Sequence, residues 1–197
     1  MEKNQKAVSG FVNGKINSII GREESYIRAA LAKLRRGIGK HPGKVPDIWD
    51  YTMDNLSVAF ISHDDEPTPT QWATHISLTL FAFHQQGKDI KQDPMSKHGA
   101  SLGSAVWKLV SESGAESQDA IKRRFDTVVT SNSIEELVHH LRGLISIMKS
   151  KSVPLDYPQL ADDLLKFQSS EQRDMVRLRW GQDYYFTKGK DEGNDDE

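Results

Sequence analysis

Apolar residues recur at three- and four-residue spacing along almost the whole chain, and no stretch alternates with the two-residue period of a strand. Val8, Phe11, Val12, Ile16, Ile19 and Ile20 predict a first amphipathic helix, weakened by Gly10 and Gly14. Ile27, Leu31, Leu34 and Ile38 predict a second, with Ser25 as its cap and Gly37 and Gly39 at its end. Pro42, Gly43 and Pro46 hold a loop open ahead of a short helix over 47–51, whose Trp49 reads as a core anchor. After the loop HDDEPTPT, Thr68 as cap and Pro69 at the first helical position start a long helix to about Gly87. Its buried face is expected to be Trp72, Ile76, Thr79, Leu80 and Phe83.

The polar, proline-containing stretch KDIKQDPMSKH reads as a linker. Beyond it, Leu102, Val106, Leu109 and Val110 predict a helix over 99–113, and Ile121, Phe125, Val128 and Val129 another over 118–130. The cleanest helix follows. Ser133 caps it, Glu136 completes a capping box, and Ile134, Leu137, Val138, Leu141, Leu144, Ile145 and Met148 fit the helical template without a miss. Asp156 and Pro158 open one more helix, and a last runs over 170–186. The pattern predicts an all-α protein of about eight or nine helices in two packed helical-bundle halves. The boundaries expected are an N-terminal half over 1–90, a linker over 91–98, a C-terminal bundle over 99–187 and a disordered acidic tail over 188–197.

Composition narrows the picture without overturning it. The chain has 197 residues, enough to bury a real core, and its 27% charged residues mark an ordinary globular protein. Cysteine is absent, which excludes disulfides and thiolate zinc sites. The N-terminal stretch lacks the apolar core of a signal peptide, and no run approaches the ~18 apolar residues of a membrane span, so a cytoplasmic protein with no membrane partner is expected. The net charge of −2 conceals an asymmetry: the last seven residues, DEGNDDE, carry five acids. Such a tail reads first as a solubilising end, and less readily as a mimic of nucleic acid.

The opposite charge collects around AALAKLRRGIGKHPGK. Seven basic residues lie between Arg22 and Lys44 against two acids, which points to an anionic partner. The glycines and lysines suggest a phosphate loop, but the pattern fails. Ile38 stands where the first glycine of a Walker loop belongs, Val45 replaces the magnesium-binding hydroxyl, and the preceding element is a helix. What survives is close backbone approach at the glycines and the reach of Lys40 and Lys44 to phosphates.

Other chemistry fares worse. His63-Asp64 resembles the His-Asp pair of helical phosphohydrolases but lacks further ligands, since His75 and His84 are wrongly spaced. Glu136 with His139 forms one Glu-x-x-His half of a di-iron site where two are required, and His139 and His140 read as rim residues. No serine sits in a nucleophile elbow. No cofactor, metal or catalytic residue is therefore expected. Stacking of Trp180 and Tyr184 on bases is a minority reading beside a core role. The remaining positive features are distributed: Lys122, Arg123 and Arg124 on one helix, and His139, Arg142, Ser146 and Lys149 in a polar stripe on the next. No recognition helix aimed at base edges is evident, so contact that tracks the phosphate backbone is the better inference.

The ordered pieces LRRGIGKHPGKVPDIW, HGASLGSAV, IKRRFDTVV, EELVHHLRGLISIMKSK and PLDYPQLADDLLKF resemble the small subunit, the CasB family, of the type I-E CRISPR surveillance complex Cascade. The resemblance covers residues 25–185, and its specificity comes from five pieces in order in a helical chain. It implies a non-enzymatic subunit in antiviral defence that steadies guide RNA and the target and displaced DNA strands. Its implied partners are the backbone and large subunits and a second copy of itself. Carried onto this chain, the implied contacts are Arg35, Arg36, Lys97, Arg123, Arg124 and Arg142. Arg173 is a weaker match, because basic residues around it are sparser than in the family. Lys40, Lys44 and Lys149 complete the candidate set on charge and position. The alternatives are a metal-dependent phosphohydrolase around His63-Asp64 and a plain helical interaction module.

Overall fold

The computed structural model describes residues 2–193, and the side chains of residues 7–191. The fold is all-α, with nine α-helices and no strand among the described residues. The chain divides into two compact units. One takes the described residues up to Pro94 together with Tyr157–Leu165; the other takes Met95–Asp156 and the described residues from Lys166 onward.

The first unit is built on α1 (Glu2–Ile20), α2 (Glu24–Arg35), the short α3 (Trp49–Thr52) and α4 (Pro69–His84). Val8, Val12, Ile16 and Ile19 bury one face of α1. Gly10 and Gly14 lie on its exposed side, with open space where a side chain would go. Burying four such side chains contributes on the order of 6–10 kcal/mol, against about 2 kcal/mol lost to two helical glycines, so the helix persists. The N-cap of α2 is Glu23 rather than Ser25, and no side chain caps it. Trp49 is not a core anchor: it is 41% exposed and donates from Nε1 to the Pro42 carbonyl at 3.0 Å, tying down the loop.

Helix α4 is the centre of this unit and packs against α1, α2 and α3. Its cap follows the sequence, with Thr68 and Gln71 forming a reciprocal capping box and Pro69 in the first turn. Nearly every side chain from Thr70 to Ala82 is buried, not the single stripe that periodicity suggests. Several of its polar groups are paired inside the unit. The Tyr157 hydroxyl donates to the Leu80 carbonyl at 3.3 Å, leaving it to accept from His84 Nδ1 at 3.0 Å. Burial pushes the Tyr157 phenol well above its ordinary pKa, so it stays a donor.

His75 Nε2 donates to the Gly37 carbonyl at 3.0 Å. Burial lowers the pKa of His75 below the ordinary 6.5, only partly offset by backbone hydrogen bonds. The unfolded chain therefore takes up a proton that the folded chain refuses. Stability on this account is full above about pH 6.5 and falls as the pH drops toward the depressed folded value. Urea denaturation at about pH 7.5 and about pH 5.5 is expected to show a smaller loss for His75→Gln than for wild type. An equal loss in both would remove His75 as a source of acid sensitivity.

The second unit contains α5 (Leu102–Ser111), α6 (Ala115–Thr130), α7 (Ile134–Ser150) and α9 (Ser170–Gly193); α8 (Tyr157–Phe167) precedes α9 in the chain. Helix α5 starts later than its apolar pattern implies. Gly99 has a positive φ of 80°, and Ser101 caps by accepting from the Ser104 amide at 3.4 Å. The turn before α5 is stapled to the extended 155–156 segment. Leu155 donates to the Met95 carbonyl at 3.1 Å, and the buried Asp156 carboxylate accepts from the Gly99 amide at 2.8 Å. Ser133 caps α7 as expected.

The most extensive packed interface in this unit is α5 on α9, where the two backbones touch at Gly103. Trp180 of α9 is fully buried and stacks on Phe167, with ring centroids 6.2 Å apart. Helix α9 continues through Gly193, into the stretch over 188–197 expected as an acidic tail; residues 194–197 of that stretch lie outside the described residues. Two contacts hold the extension: the Trp107 indole donates to the Asp191 carboxylate, and Lys188 lies over the Trp107 ring at 5.6 Å. No described helix is long and apolar enough to cross a membrane.

Candidate nucleic-acid interface

In the first unit the basic stretch sits at the C-terminal end of α2 and on the loop that follows. Arg35 is half-buried, with a guanidinium nitrogen 3.5 Å from the Ala82 carbonyl; burial lowers its pKa, but a guanidinium stays charged at neutral pH. Arg36 is exposed and pairs with Asp47 at 3.2 Å. Both partners face solvent, so the pair contributes less than about 1 kcal/mol and yields readily to a phosphate. The loop is ordered by specific contacts. Pro42 is buried, His41 Nδ1 accepts from the Gly43 amide at 3.1 Å, and the His41 ring meets the edge of Trp72 at 5.2 Å. This short-range scaffold leaves Lys40 and Lys44 exposed.

In the second unit Lys97 is exposed on the stapled turn, beside His98, whose Nδ1 pairs with Asp156 at 3.2 Å. A cleft of about 530 Å³ opens there, lined by Lys97, His98, Ser104 and Lys108 among others, and by the acids Glu112 and Asp191. Arg123 is exposed on α6 and donates from Nε to the Asp119 carbonyl one turn back, at 3.3 Å. Arg124 reaches toward α7, where its guanidinium lies 3.9 Å from the position a Cβ would take at Gly143. Arg142 and Lys149, seven residues apart on α7, share one face, the first exposed and the second half-buried. Arg173 is differently placed: Nε donates to the Phe167 carbonyl at 3.0 Å, and the guanidinium lies 5.1 Å from the Phe167 ring.

The structure brings Arg124 together with the His139–Gly143 turn of α7, a grouping that spacing along either helix does not reveal. The stacking candidates change. Trp180 and Tyr184 are 0% and 5% exposed and cannot receive a base, because both are packed inside the second unit. Tyr185 and Phe186, further round the helix, are 61% and 66% exposed. The buried histidines are committed to Gly37 and Tyr157, and no described group of three His, Asp or Glu side chains is arranged to hold a metal ion.

The model of the family "CRISPR-associated protein Cse2" matches residues 30–185. The chain belongs to the Cse2 family. Among solved structures it is similar to CasB from Thermobifida fusca, at 30% identity and a TM-score of 0.71, over 90% of this chain and 97% of that one. A Cse2-family protein from Thermus thermophilus shares 22% identity and a TM-score of 0.64, again over 90% and 97% of the two chains. A chain from a CRISPR RNA-guided surveillance complex has the same fold at 19% identity, with a TM-score of 0.65 over 93% and 94%. No curated protein sequence matches the chain. The Cse2 match begins within α2 and ends within α9, so it takes in every candidate basic residue named above.

Proposed function

We propose that this protein is a non-catalytic, cytoplasmic small subunit of a type I-E CRISPR Cascade ribonucleoprotein, whose basic helical surfaces steady guide RNA and the target and displaced DNA strands. The observation that carries the reading is the Cse2 family match over residues 30–185; a chain of an RNA-guided surveillance complex with the same fold supports it. The contacts assigned are Arg35, Arg36, Lys40, Lys44, Lys97, Arg123, Arg124, Arg142, Lys149 and Arg173, and the protein partners are the backbone and large subunits and a second copy. Base pairing to the guide reads sequence in such a complex, so the small subunit needs only charge held on ordered elements. The exposed Arg36, Lys40, Lys44, Lys97, Arg123, Arg124 and Arg142 meet that need.

The free chain is expected to bind single-stranded and duplex nucleic acid weakly, with affinity falling steeply between low and moderate salt. In the assembled complex, Arg123→Ala with Arg124→Ala is expected to weaken target binding about tenfold and leave the thermal transition unchanged. Salt-independent binding, or wild-type target affinity in the double variant, would count against the assignment. A protein-contact role in the same assembly has its own support, since Met175, Leu178, Tyr185 and Phe186 lie exposed along α9.

A further inference from the structure

The facing turns of α6 and α7 enclose a cleft of about 270 Å³ lined by Arg124, Thr127, His139, His140 and Gly143. Its chemistry is one-sided. Arg124 has no ion-pair or hydrogen-bond partner among the described residues, unlike Lys122 two positions before it, which pairs with Asp126. The His139 and His140 rings touch each other edge to face at 5.2 Å. Thr127 turns its hydroxyl back onto the Arg123 carbonyl at 2.9 Å and so forms a wall, not a donor. The carboxylates nearest in sequence are engaged elsewhere: Asp126 with Lys122, and Glu136 with the Asn132 amide at 2.8 Å. No carboxylate lines the cleft.

One guanidinium and two imidazoles around a small concavity suit a single oxyanion with several acceptor oxygens. Gly143 is what leaves the room. A Cβ there would sit 3.9 Å from Arg124 Nη1, an ordinary contact, but any longer side chain would fill the space in front of the guanidinium. We infer that this cleft is a phosphodiester subsite: it seats one backbone phosphate of a bound nucleic-acid strand, with Arg124 as the charge and His139 and His140 as orienting donors. The inference rests on the nucleic-acid reading above and adds His140 and Gly143 to it, which charge patterning leaves out.

The test uses the full-length chain, a fluorescent single-stranded oligonucleotide and inorganic phosphate. Gly143→Leu, and separately His139→Ala with His140→Ala, are each expected to weaken binding about three- to fivefold, and Gly143→Leu to lower the salt slope by about one phosphate contact. In imidazole NMR spectra, the oligonucleotide is expected to shift the His139 and His140 resonances at concentrations where inorganic phosphate does not. Because His139 is exposed and His140 half-buried, the histidine variant decides the matter if Gly143→Leu unfolds. Salt-dependent binding that both cleft variants retain would overturn the subsite and leave the proposed function standing. Equal shifts with inorganic phosphate would overturn the strand assignment in favour of a free-anion site. Absence of oligonucleotide binding at any salt would remove both readings.

Discussion

Gly103→Ala is expected to lower the midpoint of thermal unfolding by about 10 °C, reflecting a loss of about 3–4 kcal/mol. The direction is opposite to what helix propensity alone predicts, since alanine in place of a helical glycine is favoured by about 1 kcal/mol. Gly103 lies on α5 where that helix meets the backbone of α9. An added Cβ would sit 2.1 Å from the Trp180 carbonyl oxygen, 2.7 Å from the Tyr184 amide nitrogen and 2.9 Å from the Asp183 Cβ. Backbone atoms cannot swing aside, so the helices must separate by about 1 Å or more to restore ordinary contact distances. Separation loosens the aromatic cluster that α9 delivers: Trp180 on Phe167, and Tyr184 between Phe125, stacked at 5.6 Å, and the edge of Trp107, also at 5.6 Å. Overpacking of a rigid contact combined with lost aromatic burial is among the few mechanisms that reach this size. Circular dichroism melts of the two proteins decide the point, and an unchanged or raised midpoint would refute the close-approach account.

Gly37→Ala is expected to cost about 2 kcal/mol and to reduce nucleic-acid affinity as well, although residue 37 bears no charge. Its Cβ would meet Ile48 Cδ1 at 2.6 Å, Thr79 Cγ2 at 2.8 Å and His75 Cε1 at 3.1 Å. These are side-chain atoms and can yield more than a backbone can, which is why the expected cost is smaller than at Gly103. Yet Ile48, Thr79 and His75 are all buried, so nothing yields freely. Displacing Gly37 also strains its carbonyl's bond to His75 and shifts the loop that presents Lys40 and Lys44. Thermal melts should show a midpoint lower by about 5 °C. Oligonucleotide binding measured well below that midpoint should be weaker about two- to threefold. A destabilised variant with full affinity would separate loop position from binding.

Much of this protein is legible without a fold. Thr68 with Gln71 and Pro69, and Ser133 before Glu136, mark helix starts because capping joins neighbours in sequence. The five motif pieces, Arg35 and Arg36 and the Lys122–Arg124 run are also readable as they stand, and the Cse2 match confirms the family that those pieces suggest. Where local reading fails, the cause is most often a competing contact made elsewhere in the chain. Trp49 has the composition of a core anchor but commits its indole N–H to the loop at Pro42. Ser25 has the right chemistry for a cap, yet α2 begins at Glu24, one residue before it. Tyr184 differs from Tyr185 by a single step around α9, and only the positions of α5 and α6 settle which of the two is buried.

The sequence by itself therefore determined the all-helical class, several helix starts, the family and the reservoir of basic residues, because each is written in spacings of three, four or a few residues. Tertiary structure alone decided that Tyr157–Leu165 packs with the first unit, that Gly103 and Gly37 mark close approaches, and that Arg124 faces His139 and His140 across a cleft. The physical reason is the same in each case: side chains brought together across two helices are joined by packing, and packing leaves no periodic mark on either helix.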